Sequence, residues 1–287
     1  MNKIILAFLC LLSLNVFAET KVIVPFGQGG GVELSLRHFE KYVNENKNVK
    51  FVAMMKPGAE GLIGLQELSK SPKDGTFIGY TTIGSVASVV KNNNLEFEYI
   101  TATRKFTAVL VTNTKTNVKS YNDFSKRMKM GVPYAFGYNT PAQLLFINQV
   151  LDNVKPKTEV VKASYKSVSN VLTDLIGGQT DFAILPYAVV KDHVQSGKLI
   201  MLGSTSKLSV EPNLVAFDSL YKNWIDIAGY CFVAPKGTPQ ETITYWQNLI
   251  NDYMNNSKVI EDFKQEESTT YALGSQNLKN IIQNINK

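Results

Sequence analysis

Cysteine is almost absent from this chain of 287 residues, which has only Cys10 and Cys231. Cys10 lies in an apolar N-terminal leader, so Cys231 alone is left for the folded part. No intramolecular disulfide can form there, and packing must hold the fold. Histidine is equally scarce, with His38 and His193 alone; both fall on predicted helices, as surface or packing residues. HExxH, CxxC and GxSxG are all missing, which removes the signatures of zinc hydrolases, dithiol redox enzymes and nucleophile elbows. Charge does not cluster. The formal net charge is +6, but lysines are scattered without a run of five or six, so no nucleic-acid footprint is present. A mild positive field suits either an anionic ligand or ordinary solubility. Beyond the leader no apolar stretch is long enough to span a membrane.

The leader carries Lys3, an apolar run over residues 4–17, and Val16-Phe17-Ala18, which satisfies the small-x-small rule for cleavage. Residues 1–18 read as a secretory signal peptide, with the mature chain starting at Glu19 in the periplasm. The run is shorter than the roughly 20 residues a retained anchor needs. Leu9 before Cys10 does not fit a lipidation motif. Residues 19–287 suit two domains of about 100–150 residues each.

Short β-rich runs at 21–25, 50–54, 76–81, 107–112, 158–162, 181–185, 199–203 and 230–234 alternate with amphipathic helical stretches. Val32, Leu36, Phe39 and Val43 recur at helical spacing, as do Val168, Val171, Leu172, Leu175 and Ile176. Gly177-Gly178 stops the second of these helices. Ser120-x-x-Asp123 is a capping box. Thr238-Pro239-Gln240-Glu241 predicts an N-cap at Thr238 and proline at N1, ahead of a buried face of Ile243, Trp246, Ile250 and Tyr253. Leu278, Ile281, Ile282 and Ile285 mark a last helix. The strands are apolar on both faces, as parallel strands covered by helices are. The pattern predicts an α/β protein built from two parallel-rich domains, with a ligand cleft between them at the carboxyl ends of strands.

Three strand-to-helix junctions are candidate anion loops. Residues 25–33, PFGQGGGVE, hold four glycines where backbone N–H groups can approach a ligand at a helix N-terminus. Residues 57–64, PGAEGLIG, precede another helix, and Gly64 serves either ligand contact or helix packing. Residues 137–143, GYNTPAQ, place Thr140 as N-cap and Pro141 at N1. A dinucleotide fingerprint fails, because Val32 stands where glycine or alanine is needed.

These loops resemble those of the substrate-binding proteins of tripartite tricarboxylate transporters, the Bug family. Val22-Ile23-Val24-Pro25-Phe26 with Gly29-Gly30-Gly31 is similar to that family's VVPFxPGGGTD opening. Pro57-Gly58-Ala59 with Gly61 and Ile63-Gly64 is similar to PGAGGxIG, and Pro72-Lys73-Asp74-Gly75-Thr76 to its PDG turn. Tyr165-Lys166, then residues 172–179, LTDLIGGQ, with Asp181, resemble YKGSxxxLTDLxGGQxD. Gly197-Lys198-Leu199 and residues 234–239, APKGTP, match GKLR and APAGTP. The likeness runs over nearly the whole mature chain, and the order and spacing make it specific.

The resemblance implies a type II periplasmic-binding-protein-like fold, with a first domain from 19–115 and 228–287, a second from 116–227, and crossover strands between them. It implies hinge closure on a di- or tricarboxylate held by backbone N–H groups and water, and delivery to membrane permease subunits. A monomer without cofactor, metal or catalytic residues is expected. The implied ligand positions are Phe26, Gly27, Gly30, Gly31, Glu33, Gly61, Thr82, Gly84, Gly137, Asn139, Thr140, Tyr165 and Leu185. A periplasmic sensor and an exported enzyme using the same cleft are the alternatives. The chain departs from the family pattern at Gln28, Val32, Glu33, Glu60, Gln143 and Leu185. Glu60 replaces a glycine, either facing the cleft, where it would repel a carboxylate, or pointing to solvent as a first-turn acid. Leu185 replaces a frequent Asp, which argues against a ligand needing an ammonium partner.

Overall fold

A computed structural model describes residues 19–47 and 49–285; the leader expected over residues 1–18 lies outside the described residues. Two mixed sheets form the framework. The first contains β1 (Thr20–Val24), β2 (Phe51–Met55), β3 (Phe77–Thr82), β4 (Phe97–Phe106), β10 (Gly229–Pro235) and β11 (Ser268–Thr270), in the order β11-β4-β10-β3-β1-β2. The second contains β5 (Ala108–Asn113), β6 (Ala135–Tyr138), β7 (Val161–Ser164), β8 (Phe182–Pro186) and β9 (Leu199–Ser204), in the order β7-β6-β8-β5-β9.

The expected parallel pairing holds for β1 with β2 and β3, and for β6 with β7 and β8. The strands near the crossings differ. β10 runs antiparallel to β3 and β4, and β5 runs antiparallel to β8 and β9. A strand that carries the chain between sheets enters from the opposite end to the βα units, so it pairs with reversed polarity. Only Thr107 separates β4 from β5. The chain therefore changes sheets at Thr107 rather than near residue 115, and it returns between β9 and β10.

The helices are α1 (Gly31–Asn46), α2 (Leu62–Ser69), α3 (Ile83–Asn93), α4 (Tyr121–Met130), α5 (Pro141–Val154), α6 (Val168–Gly177), α7 (Tyr187–Gln195), α8 (Phe217–Leu220), α9 (Gln240–Met254), α10 (Ser257–Gln265) and α11 (Ser275–Ile285). Their apolar stripes face the sheets. Val32, Leu36, Phe39 and Val43 of α1 are buried, and so are Ile243, Trp246, Ile250 and Tyr253 of α9. Each such side chain contributes about 1.5–3 kcal/mol by leaving water. All seven residues of β10 and all five of β8 are buried, as strands covered on both faces must be. Cys231 is a free, buried thiol on β10. Two local expectations shift. The N-cap of α9 is Pro239, while the Thr238 hydroxyl bonds back to the Pro235 carbonyl at 2.8 Å. The strand expected at 158–162 begins at Val161, where its pairing with Ala135 of β6 starts. Among the described residues no helix is long and apolar enough to cross a membrane.

Candidate functional site

Each parallel βα unit ends its strand and starts its helix on the same side of the sheet. Five of these junctions meet between the two sheets. Gly30 is the N-cap of α1, Thr82 of α3, Thr140 of α5 and Pro186 of α7, and Val168 opens α6. All five line one cavity, with Phe26, Gly27, Gly31 and Asn139 between them. The rest of the wall is mainly apolar. Phe106 and Ala108 flank the Thr107 crossing, and Tyr230 sits at the start of β10. Among the described residues no Lys or Arg lines this cavity. Each helix N-terminus favours a negative charge by about 0.3–1 kcal/mol when exposed, and by up to about 2 kcal/mol when partly buried.

The glycine loop has internal supports. Gly29 takes a left-handed φ of 77°, and its N–H donates to Glu33 Oε2 at 2.9 Å. The other Glu33 oxygen pairs with Arg37. Glu33, expected at the ligand, is instead buried as a brace for the loop and borders neither this cavity nor the adjoining one. Across the cleft, the Thr140 hydroxyl accepts from Gln143 N–H at 3.2 Å, and Gln143 Oε1 accepts from Asn139 N–H at 2.7 Å. These two bonds, a variant of the capping box that reaches the residue before the N-cap, fix the turn that carries Asn139 to the cavity wall. Asn139 is 5% exposed, and its Oδ1 has no hydrogen-bond partner.

The second, polar cavity adjoins the first through Phe26 and Asn139, which line both. Ala59, Glu60, Gly61, Ser164, Tyr165 and Lys166 complete most of its wall. Glu60 thus faces the cleft. Its Oε1 accepts from the Tyr138 hydroxyl at 2.8 Å and from Ser164 Oγ at 3.4 Å, both on the other side of the cleft. Burial, then the bond to Glu60, raises the Tyr138 pKa. The Tyr165 hydroxyl donates to Asp174 at 2.7 Å, and burial together with that carboxylate pushes its pKa up to about 12.

Three expected positions serve packing. A Cβ on Gly84 would stand 2.8 Å from Ala142 Cβ, and one on Gly137 would stand 3.0 Å from Val171 Cγ1. Leu185 is fully buried in a core cluster that also holds Val109, Val171 and Val190, and the next residue, Pro186, reaches the cavity. The apolar wall residues Phe106, Ala108 and Tyr230 give no sequence signal that separates them from core residues. The Tyr230 hydroxyl makes no hydrogen bond to another described residue, and burial raises its pKa.

The arrangement is that of a two-lobed α/β binding protein, and known proteins agree. Protein BugT of Bordetella pertussis (strain Tohama I) is 23% identical over 261 residues, which cover 87% of this chain and 80% of BugT. The solved structure of the periplasmic binding protein BugD superposes with a TM-score of 0.83 at 19% identity, covering 93% of each chain. Rpa4515 of R. palustris, solved with adipate, superposes at 0.84 with 17% identity, again over 93% of each chain. Residues 37–287 match the tripartite tricarboxylate transporter family receptor. The chain belongs to that family.

Proposed function

We propose that this protein is an extracytoplasmic receptor that captures a small organic carboxylate between its lobes and hands it to a tripartite-type membrane transporter. The observation that carries this reading is the meeting of five helix N-termini on one apolar cavity that, among the described residues, no basic side chain lines. Backbone N–H groups and helix fields there supply what a carboxylate needs, and the apolar walls strengthen them by excluding water. The adipate in Rpa4515 fits the carboxylate class. The lobes are residues 19–106 with 229–285, and residues 108–204 with the segment that returns to β10. Thr107 and the residues before Gly229 act as the hinge. Export to the periplasm by the N-terminal leader and action as a monomer complete the reading.

Isothermal titration and thermal unfolding against succinate, adipate, malate and citrate test it. A carboxylate supplied at 100 times its dissociation constant should stabilise the protein by about 2.7 kcal/mol. Absence of both heat and thermal shift across a wider panel of organic acids would remove the carboxylate reading. Unchanged uptake of the bound acid after gene deletion would remove the transport step.

A further inference from the structure

We propose that the far end of the second lobe, around Met130 and Lys157, is a docking face for an anionic lipid surface. The face is separate from the cleft and independent of what the cleft binds.

It lies where β6 and β7 begin. These two strands run parallel and end at Tyr138 and Ser164, which bond to Glu60 in the cleft, so their starting ends point away from it. The end of α4 and its link to β6 meet the link from α5 to β7 there. The Lys157 N–H donates to the Met128 carbonyl at 3.0 Å, and the Val161 N–H donates to the Tyr134 carbonyl at 3.1 Å. The Thr158 hydroxyl donates to the Val132 carbonyl at 3.4 Å. These bonds hold Met130, Val132 and Val161 along one seam, where they are 72%, 40% and 61% exposed. Single exposed apolar side chains are ordinary, but neighbours on one seam make a patch. β7 is an edge strand, so no further strand covers its outer side.

The charge around the seam is mainly positive. Lys126, Lys129, Lys155 and Lys157 are exposed, and Arg127 is half-buried. Beside them stand the acids Asp152 and Glu159, while Asp123 accepts from the Lys119 N–H at 3.3 Å. Every ion pair among the described residues takes its cation from the first lobe, so none of these basic side chains is neutralised. The whole second lobe leans the same way. Residues 108–228 hold 13 Lys and Arg against 9 Asp and Glu, whereas residues 19–107 with 229–287 hold 16 against 15. The C-terminal field of α4 accounts for Arg127 and Lys129. It does not account for Lys157, which lies outside any helix, or for the exposed Met130 and Val161.

Cations around apolar tips match a bilayer interface. Lipid phosphates take the lysines, and the boundary with the acyl chains takes Met130, Val132 and Val161. Docking by this end leaves the cleft open to solvent.

Flotation of the full mature protein with pure-lipid vesicles tests the proposal. Vesicles of phosphatidylcholine mixed with phosphatidylglycerol should bind about tenfold or more protein than phosphatidylcholine alone, and added salt should weaken that binding. Combining Lys126→Glu, Lys129→Glu and Lys157→Glu should reduce it about tenfold or more. Met130→Ser should reduce it without a change of charge. Thermal unfolding of both variants should match the unaltered protein, because all four side chains are exposed. No preference for the anionic vesicles, or binding that either variant fully retains, overturns the docking face. Binding only to native membrane vesicles that carry protein, and not to pure lipid, gives the face to a protein partner and likewise overturns it.

Discussion

Gly30 and Gly31 are adjacent, yet a side chain would meet different surroundings at each. At Gly30 the nearest atoms to an added Cβ are Val168 Cγ1 at 3.5 Å and the Gly27 carbonyl at 3.7 Å, both ordinary contacts. At Gly31 the same atom would collide with the Tyr230 hydroxyl. Gly30→Val therefore separates binding from folding. Its branched side chain enters the cavity and keeps a ligand away from the backbone N–H groups. Titration with the best-binding acid should show affinity lost by about tenfold or more, with the unfolding midpoint nearly unchanged. Retained affinity would reduce the loop to a turn. Glu60 is the residue whose role the sequence left open. The PGAEG pattern allowed a solvent-facing acid or a cleft-facing one, and the hydroxyls of Tyr138 and Ser164 decide for the cleft. Those partners lie about 80 and 100 residues away in the chain, beyond the reach of any local motif.

At the scale of elements, the βα junctions were the most readable part. Ser120 and Thr140, both read as caps, accept from the N–H three residues on, and Ser167, which was not singled out, does the same for α6. Gly178 ends α6 in the left-handed conformation expected of a C-terminal glycine. β4 was missed. Its sequence FEYITATRKF mixes Glu98, Arg104 and Lys105 with threonines, so neither a continuous apolar run nor a clean alternation appears. Its strand character comes from lying between β10 and β11. β6 was missed because four residues, one of them glycine, are too few to show a period. Gly64 illustrates packing over ligand contact. An added Cβ would stand 2.8 Å from Pro25 Cα and 2.9 Å from the Lys56 carbonyl, backbone atoms that cannot swing aside. Gly64→Ala should destabilise the protein by about 1–3 kcal/mol in chemical denaturation. A change below a few tenths would mean that α2 can shift away from the end of β1.

The whole molecule is held by contacts that join distant segments. The glycine loop meets the start of α6 across the cleft, α3 passes close to α5 near Gly84, and Glu60 bonds to Tyr138. Behind the first sheet, His38 of α1 bonds to the Tyr253 hydroxyl at 3.1 Å and lies 3.3 Å from Asp262. Arg104 stacks on Phe263 nearby and pairs with Glu266. Burial lowers the His38 pKa below its ordinary 6.5, outweighing the pull of Asp262. The unfolded chain then takes up a proton that the native protein resists, so stability is retained above pH 6.5 and lost as pH falls through that value. Denaturant unfolding at pH 7.5 and 5.5 should show this loss, and His38→Gln should reduce it. An equal loss in the variant would assign the effect to other groups.

The sequence by itself determined the helix stripes, most strands and the glycine-rich junctions, because periodicity, caps and turn residues act within a few neighbours. It also carried the family, since the order of short motifs survives in one chain. Only the tertiary structure decided which junctions face one another, that Glu33 supports the loop from within, that Phe106, Ala108 and Tyr230 wall the cavity, and that Glu60 and Asn139 share a polar pocket. Those outcomes depend on two sheets meeting at Thr107 and at the return to β10, and the geometry of such a meeting is set by long-range packing rather than by local pattern.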